Sequence, residues 1–261
     1  MYRPKRNYKR STRPYKKRVY KRRAAPKKKS FVARVKKIIH SQLENKVTSY
    51  AQANLTLANA ITAGPNPTYL TMIPTMSQGT NAAQRIGNEI RVVKAHIKGF
   101  VNLLPYSSVS NPQLSPAYVK MWLCARKQTN IGTTGYPTTT DWNTFFQSGS
   151  SSLGFQGNML DMCLKNNRDY WTIYKTKTLQ LTNNNIAVSG GAAFGGSGRF
   201  SIPFSFNFVK HVGKLKYNDS TTIPNNKELF LVFQAVNSDG SLSAVSLCEQ
   251  HSVTEWEYED A

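Results

Sequence analysis

The first 37 residues contain 18 Lys or Arg and no Asp or Glu, and the first acid in the chain is Glu44. The cations are Arg3, Lys5, Arg6, Lys9, Arg10, Arg13, Lys16, Lys17, Arg18, Lys21, Arg22, Arg23, Lys27, Lys28, Lys29, Arg34, Lys36 and Lys37. The other 17 bases are spread among 13 acids, so the net charge of +22 belongs mostly to this one segment. A stretch so charged buries too little apolar surface to offset the entropy of ordering, and it is expected to stay disordered until it meets a polyanion. Phosphates suit it, because each neutralised phosphate releases a condensed counterion without regard to sequence. Tyr2, Tyr8, Tyr15 and Tyr20 recur among the charges. Rings interleaved with cations offer stacking platforms to unpaired bases, which tilts the partner towards single strands. The 18 cations are therefore the candidate nucleic-acid-binding residues. A solvated tail, or a nuclear import signal built on clusters such as Lys27-Lys28-Lys29, matches the same residues, and import machinery is read as a second partner.

Beyond residue 37 the composition is that of a folded protein. With 39% hydrophobic and 11% aromatic residues overall, the chain suits one all-β domain of roughly 200 to 250 residues. The organisation reads as a basic arm over 1–37, a short helix or linker over 38–46, and a β domain over 47–261. Ser30 is placed to cap a helix whose apolar residues Phe31, Val35, Ile38 or Ile39, and Leu43 recur at helical spacing. Arg34, Lys36 and Lys37 flank that stripe. Docking on the inner surface of the domain's assembly is preferred to the membrane-surface alternative. No apolar run approaches the ~18 residues of a membrane span, and a secretory signal is missing, so an intracellular protein is expected. By the same token Asn54-Leu-Thr56 and Asn218-Asp-Ser220 read as chance glycosylation patterns. Cys124, Cys163 and Cys248 lack metal or disulfide spacing and read as buried free thiols.

From Val47 the periodicity is that of strands. Val47 to Leu57 is rich in β-branched and aromatic residues and ends at Gly64-Pro-Asn-Pro67. The next pattern, Gln84 to Phe100 and on to Leu103, changes phase between Val92 and Val93, as a β-bulge would produce. After that point Val93, Ala95, Ile97, Val101 and Leu103 face one way. Lys94, His96 and Lys98 face the other, as a solvated row or a surface for nucleic acid. Tyr118 to Lys127 and Trp171 to Leu181 follow, and Asp141 to Phe146 reads as a helical turn. Phe200, Ile202, Phe204, Phe206 and Phe208 then alternate with polar residues, and Pro203 among them argues for an edge position. Val212 to Tyr217, an apolar run from Leu229 to Val236 buried on both faces, and Val245 to Tyr258 close the chain. About eight strands result, pointing to a sandwich or barrel, with long connections near 105–117, 128–168 and 182–198.

No catalytic constellation emerges. His40, His96, His211 and His251 are scattered without ligand spacing, and His96 and His211 read as ordinary strand residues. Gly190 to Gly198 lacks the ending of a phosphate-binding loop, and no nucleophile elbow is present. Neither catalytic residues nor metal nor cofactor is expected, and the protein is read as no enzyme. The acidic end, Glu255 to Asp260, has three readings: a solvated strand end, a contact with a neighbouring subunit, or a partner for the arm.

A Tyr-spaced basic arm followed by about eight strands resembles the capsid proteins of circovirus-like viruses, which carry circular single-stranded DNA and encode a replication protein. Gln84-Arg-Ile-Gly-Asn-Glu-Ile-Arg-Val92 is similar to the segment leading into an early strand of such capsids and of some small RNA and satellite virus shells. Trp256-Glu-Tyr-Glu-Asp-Ala261 is similar to their closing strand. Lys216-Tyr-Asn-Asp219, with Pro224-Asn225, is similar to their late-strand region. The arm departs from the pattern in mixing Lys with Arg. The resemblance implies an all-β, single jelly roll of two four-stranded antiparallel sheets, assembling as sixty identical subunits (T=1) around single-stranded nucleic acid, most simply DNA. It further implies a virion protein that passes through the host nucleus by the host import machinery and meets an unknown cell receptor. The alternatives are the shell of a small single-stranded RNA or satellite virus, and a cellular nucleic-acid-binding β-domain protein.

Overall fold

The computed structural model describes residues 45–57, 67–81, 83–104, 116–127, 136–149, 151–182, 199–237 and 247–260. The 1–37 arm and the helix expected near 31–43 lie outside them, as does the glycine-rich stretch 190–198.

Twelve strands form: β1 (Asn45–Leu57), β2 (Thr68–Thr71), β3 (Glu89–Leu103), β4 (Ala117–Arg126), β5 (Phe146–Ser148), β6 (Ser151–Leu153), β7 (Lys165–Asn166), β8 (Trp171–Leu181), β9 (Ser201–Asn207), β10 (Lys214–Lys216), β11 (Phe230–Asn237) and β12 (Cys248–Asp260). Three single-turn helices join them: α1 (Thr139–Trp142), α2 (Leu160–Cys163) and α3 (Val209–Val212). One sheet runs β1-β12-β3, with β9 and β10 end to end along the far edge of β3. β9 pairs with His96 to Asn102 and β10 with Glu89 to Arg91. α3 interrupts what is in effect one strand, and the chain turns back at Gly213, whose φ of 67° an L side chain rarely adopts. The second sheet runs β2-β11-β4-β8. Every pairing is antiparallel.

With β9 and β10 taken as one and the β5 to β7 insertion set aside, the strands number eight. Their spatial order is first-eighth-third-sixth in one sheet and second-seventh-fourth-fifth in the other. That is the order of a jelly roll, in which two Greek keys are wrapped face to face. The expected sandwich is therefore present, one of its sheets holding five strands rather than four.

Alternation explains the layers. Ala95, Ile97 and Val101 of β3, Phe204 and Phe206 of β9, and Trp256 and Tyr258 of β12 all point between the sheets, against Leu231 and Phe233 of β11. The phase change in β3 is a bulge, with the register against β12 slipping between Val92 and Lys94. Val93 is the extra residue and lies exposed at 41%, rather than joining the inward row expected of it. Pro203 sits on β9, an edge strand as its missing N–H demands.

The connection 128–168, expected as one long loop, is instead partly structured. Within it β5, β6 and β7 make a small third sheet, and a second core forms between this insertion and the outer face of the β2-β11-β4-β8 sheet. Trp122, Phe230 and Val232 point into that core while their neighbours point into the first. This is why Leu229 to Val236 reads as a continuous apolar run. Trp142 stacks on Trp171 with centroids 4.9 Å apart, and Phe145, Phe146 and Phe155 pack edge-on around Trp122. α1 starts at Thr138 through a capping box closed by Asp141. The carboxylate of Asp141 also accepts from Arg126 Nη1 at 2.9 Å, and Arg126 grips Glu228 with its other nitrogens. One guanidinium thus ties the insertion to the sandwich.

Candidate nucleic-acid interface

The described chain begins at Asn45, the residue that connects the domain to the basic segment. Its amide nitrogen Nδ2 donates to Glu257 at 3.0 Å. Next to it Lys46, only 6% exposed, forms an ion pair with Asp260 at 2.8 Å and donates to the Gln84 carbonyl at 2.7 Å. Asp260 in turn accepts from the Ile86 amide at 3.1 Å. The fully buried Arg85 turns the other way, donating through Nη1 to Gly87 O and Asn88 Oδ1 and through Nη2 to Asn218 O and Thr221 O. Its guanidinium lies 4.5 Å over the Tyr217 ring, and Asn88 bonds Asp219. The segments 84–92, 216–219 and 256–260, remote in sequence, therefore meet in one clasp at the root of the arm. Arg85 is a structural cation there, with four carbonyl or amide oxygens as partners.

The row Lys94, His96 and Lys98 lies on the outer face of β3, beside the acids of β12. Glu255 forms an ion pair with Lys94 at 3.5 Å and lies 3.1 Å from the His96 ring, and Glu259 lies 3.5 Å from Arg91. Glu89 holds Lys214 and Lys216 and is itself held below the usual carboxylate range by hydrogen bonds from both. The acidic C-terminal strand is thus internally matched by β3 and by Lys46. Burial, against the pull of Glu255 and helped by Lys98 and Lys94, holds His96 below the usual imidazole value.

A second charged surface was not legible in the sequence. Along β8, the free edge of its sheet, opens a hollow of about 1050 Å³. Lys127, Lys165, Arg168 and Lys175 line it with Asp169 as the single acid. Lys175 donates to the Asn207 carbonyl at 3.0 Å, but Lys127, Lys165 and Arg168 make no ion pair among the described residues. His211, expected on a strand, sits in α3 and stacks on Tyr174 with centroids 4.3 Å apart. Burial first, then the charges of Lys175 and Lys210, hold its pKa down. Three separate segments supply these cations, so no local spacing announces them. Of the three cysteines, Cys124 and Cys248 are buried and Cys163 is exposed, contrary to expectation. Burial pushes the Cys248 thiol up to about 12.

The sequence matches no protein-family model and no curated protein. Among solved structures it is similar to one of Desmodium yellow mottle tymovirus, with a TM-score of 0.31 and 11% identity over 84% of this chain and 87% of that one. It is also similar to the cryo-EM structure of Mud crab tombus-like virus, with a TM-score of 0.29 and 13% identity over 84% and 82% of the two chains. Superpositions this loose add nothing to the strand order, on which the fold assignment stands.

Proposed function

We propose that this protein is the coat subunit of a small icosahedral virus, self-assembling into a closed shell and packaging single-stranded nucleic acid through its basic arm. The observation that carries the reading is a jelly-roll strand order in a chain whose first 37 residues hold 18 cations and no acid. The chemistry of such an arm is charge neutralisation with base stacking, and the clasp around Asn45 and Lys46 gives it a firm root. In a sixty-subunit shell the arms bring about 1,080 positive charges, enough for a strand on the order of one to two thousand phosphates if most pair. A circular single-stranded DNA genome follows from the circovirus-like resemblance. The arm itself reads backbone charge and base faces, which DNA and RNA share. The same basic clusters suit import into the host nucleus before assembly into the virion.

The test is electron microscopy of the purified full-length protein, made without any viral genome, together with its ultraviolet absorbance ratio. Closed particles roughly 20 nm across, consistent with sixty domains of this size, and absorbance dominated by nucleic acid are expected. Replacing the 18 arm cations by Gln abolishes the nucleic-acid signal. A monomer that binds nucleic acid across salt and pH without ever assembling would overturn the reading in favour of a cellular binding module.

A further inference from the structure

The hollow along β8 gathers cations that the acids of β12 do not match. We infer that Lys127, Lys165 and Arg168, which line the hollow along β8, grip the phosphates of single-stranded nucleic acid, so that the packaged strand touches the wall of the shell as well as the arm. The inference rests on the coat-subunit reading above and adds the wall contact to it.

Four observations converge. The first is the shortage of matching carboxylates: among the described residues Lys127, Lys165, Arg168 and Lys175 line one hollow with Asp169 as its one acid, whereas Arg91 and Lys94 of β3 lie within 3.5 Å of acids of β12. Fixed like charges left unpaired next to one another repel, and a polyanion removes that repulsion while releasing its own counterions. The second is an aromatic side chain in the lining. Tyr174 stands in the hollow next to Lys175, its ring stacked on His211 with centroids 4.3 Å apart. Phosphate-binding cations beside an aromatic ring are the ingredients of a single-strand site.

The third is the edge itself. Among the described residues β8 is laddered to β4 alone, so the backbone on its other side near the hollow and the side chains of Asn166, Thr172 and Thr176 offer hydrogen bonds. The fourth is position. Trp171 pairs with Arg126 at one end of its sheet, and Tyr174 stacks on His211, two residues before Gly213, whose carbonyl accepts from Val92. Next to Val92, Arg91 is level with Glu259, which pairs with Asn45. The hollow and Asn45 therefore lie towards the same end of the sandwich.

The experiment is ultraviolet cross-linking of full-length particles loaded with single-stranded DNA, with adducts mapped by mass spectrometry, on the natural chain and on the triple variant Lys127→Ala, Lys165→Ala, Arg168→Ala. Nucleotide adducts are expected on the peptide 165–177 as well as on the arm, and the variant keeps the arm adducts and loses those on 165–177. For an oligothymidylate binding the full chain, the slope of log K against log salt becomes shallower by about 2 in the variant, at ~0.7 per phosphate contact of a single strand. Adducts on the arm but never on 165–177 would overturn the groove alone. Adducts on neither segment would overturn the coat-subunit reading with it. Retention of intact particles on a sulfated glycan, lost in the triple variant while cross-linking at 165–177 stays absent, would overturn the groove's assignment to nucleic acid and give it to the glycan.

Discussion

Along β1, β3 and β12, Lys46, Arg91, Lys94 and His96 each lie within 3.5 Å of a carboxylate from β12. In the hollow along β8, Lys127, Lys165 and Arg168 have no such partner among the described residues. The first surface announces itself in the sequence as a basic row and an acidic tail, and the fold lays one beside the other. Nothing in the local sequence marks the second, and the fold collects it from two segments about forty residues apart. A charge becomes a binding group only when the fold leaves it unmatched, and pairing is a tertiary fact.

The comparison can be broken first at the most buried match. Arg126→Ala leaves Glu228, whose side chain is 4% exposed, without its cation and frees Asp141 from the sandwich. A loss of about 3–5 kcal/mol is expected in urea unfolding, and a loss below about 1 kcal/mol would show that the insertion is held by its aromatic core alone. The exposed match is weaker. A double-mutant cycle on Lys94 and Glu255 should give a coupling of about 0.2–1 kcal/mol that vanishes in molar salt, and a coupling that survives salt would mean the row is shielded from solvent. The triple groove variant should unfold within about 0.5 kcal/mol of the natural protein. A larger loss would reveal partners that make these cations structural.

The smallest expected effect is acid sensitivity. His96 and His211 both have folded-state pKa values below the ordinary 6.5, from burial and neighbouring lysines. The unfolded chain therefore takes up protons first as pH falls, and the stability these residues contribute above pH 6.5 is lost as pH drops through their folded values. The fall in the urea midpoint between pH 7.5 and pH 5 should be smaller in His96→Gln/His211→Gln, and an unchanged fall would assign the acid response to other groups.

Much of the sandwich was legible because period-two patterns betray it. The bulge beside Val93, the edge position of Pro203 and the doubly buried β11 all follow from residues read in place. β2 was missed because four residues at a sheet edge make too short a pattern. The β5 to β7 sheet was missed because its strands are two or three residues long and are held by a core that Trp122, Trp142 and Trp171 complete from distant positions. The three short segments quoted for the capsid resemblance have a shared physical reason that no one of them displays: they pack into the clasp around Arg85 and Asp260. The basic segment 1–37 is a reading from charge alone and lies outside the described residues.

The pairing of Asn45–Leu57 with Cys248–Asp260 has a consequence for synthesis. The basic segment leaves the ribosome first, yet the strand that seats its root arrives some two hundred residues later, a delay of about ten to forty seconds at ~5–20 residues per second. During that interval the nascent chain offers its cations to any RNA nearby but cannot close its first sheet. A chain that ends before residue 248 therefore lacks the strand against which β1 pairs, and the first sheet stays open.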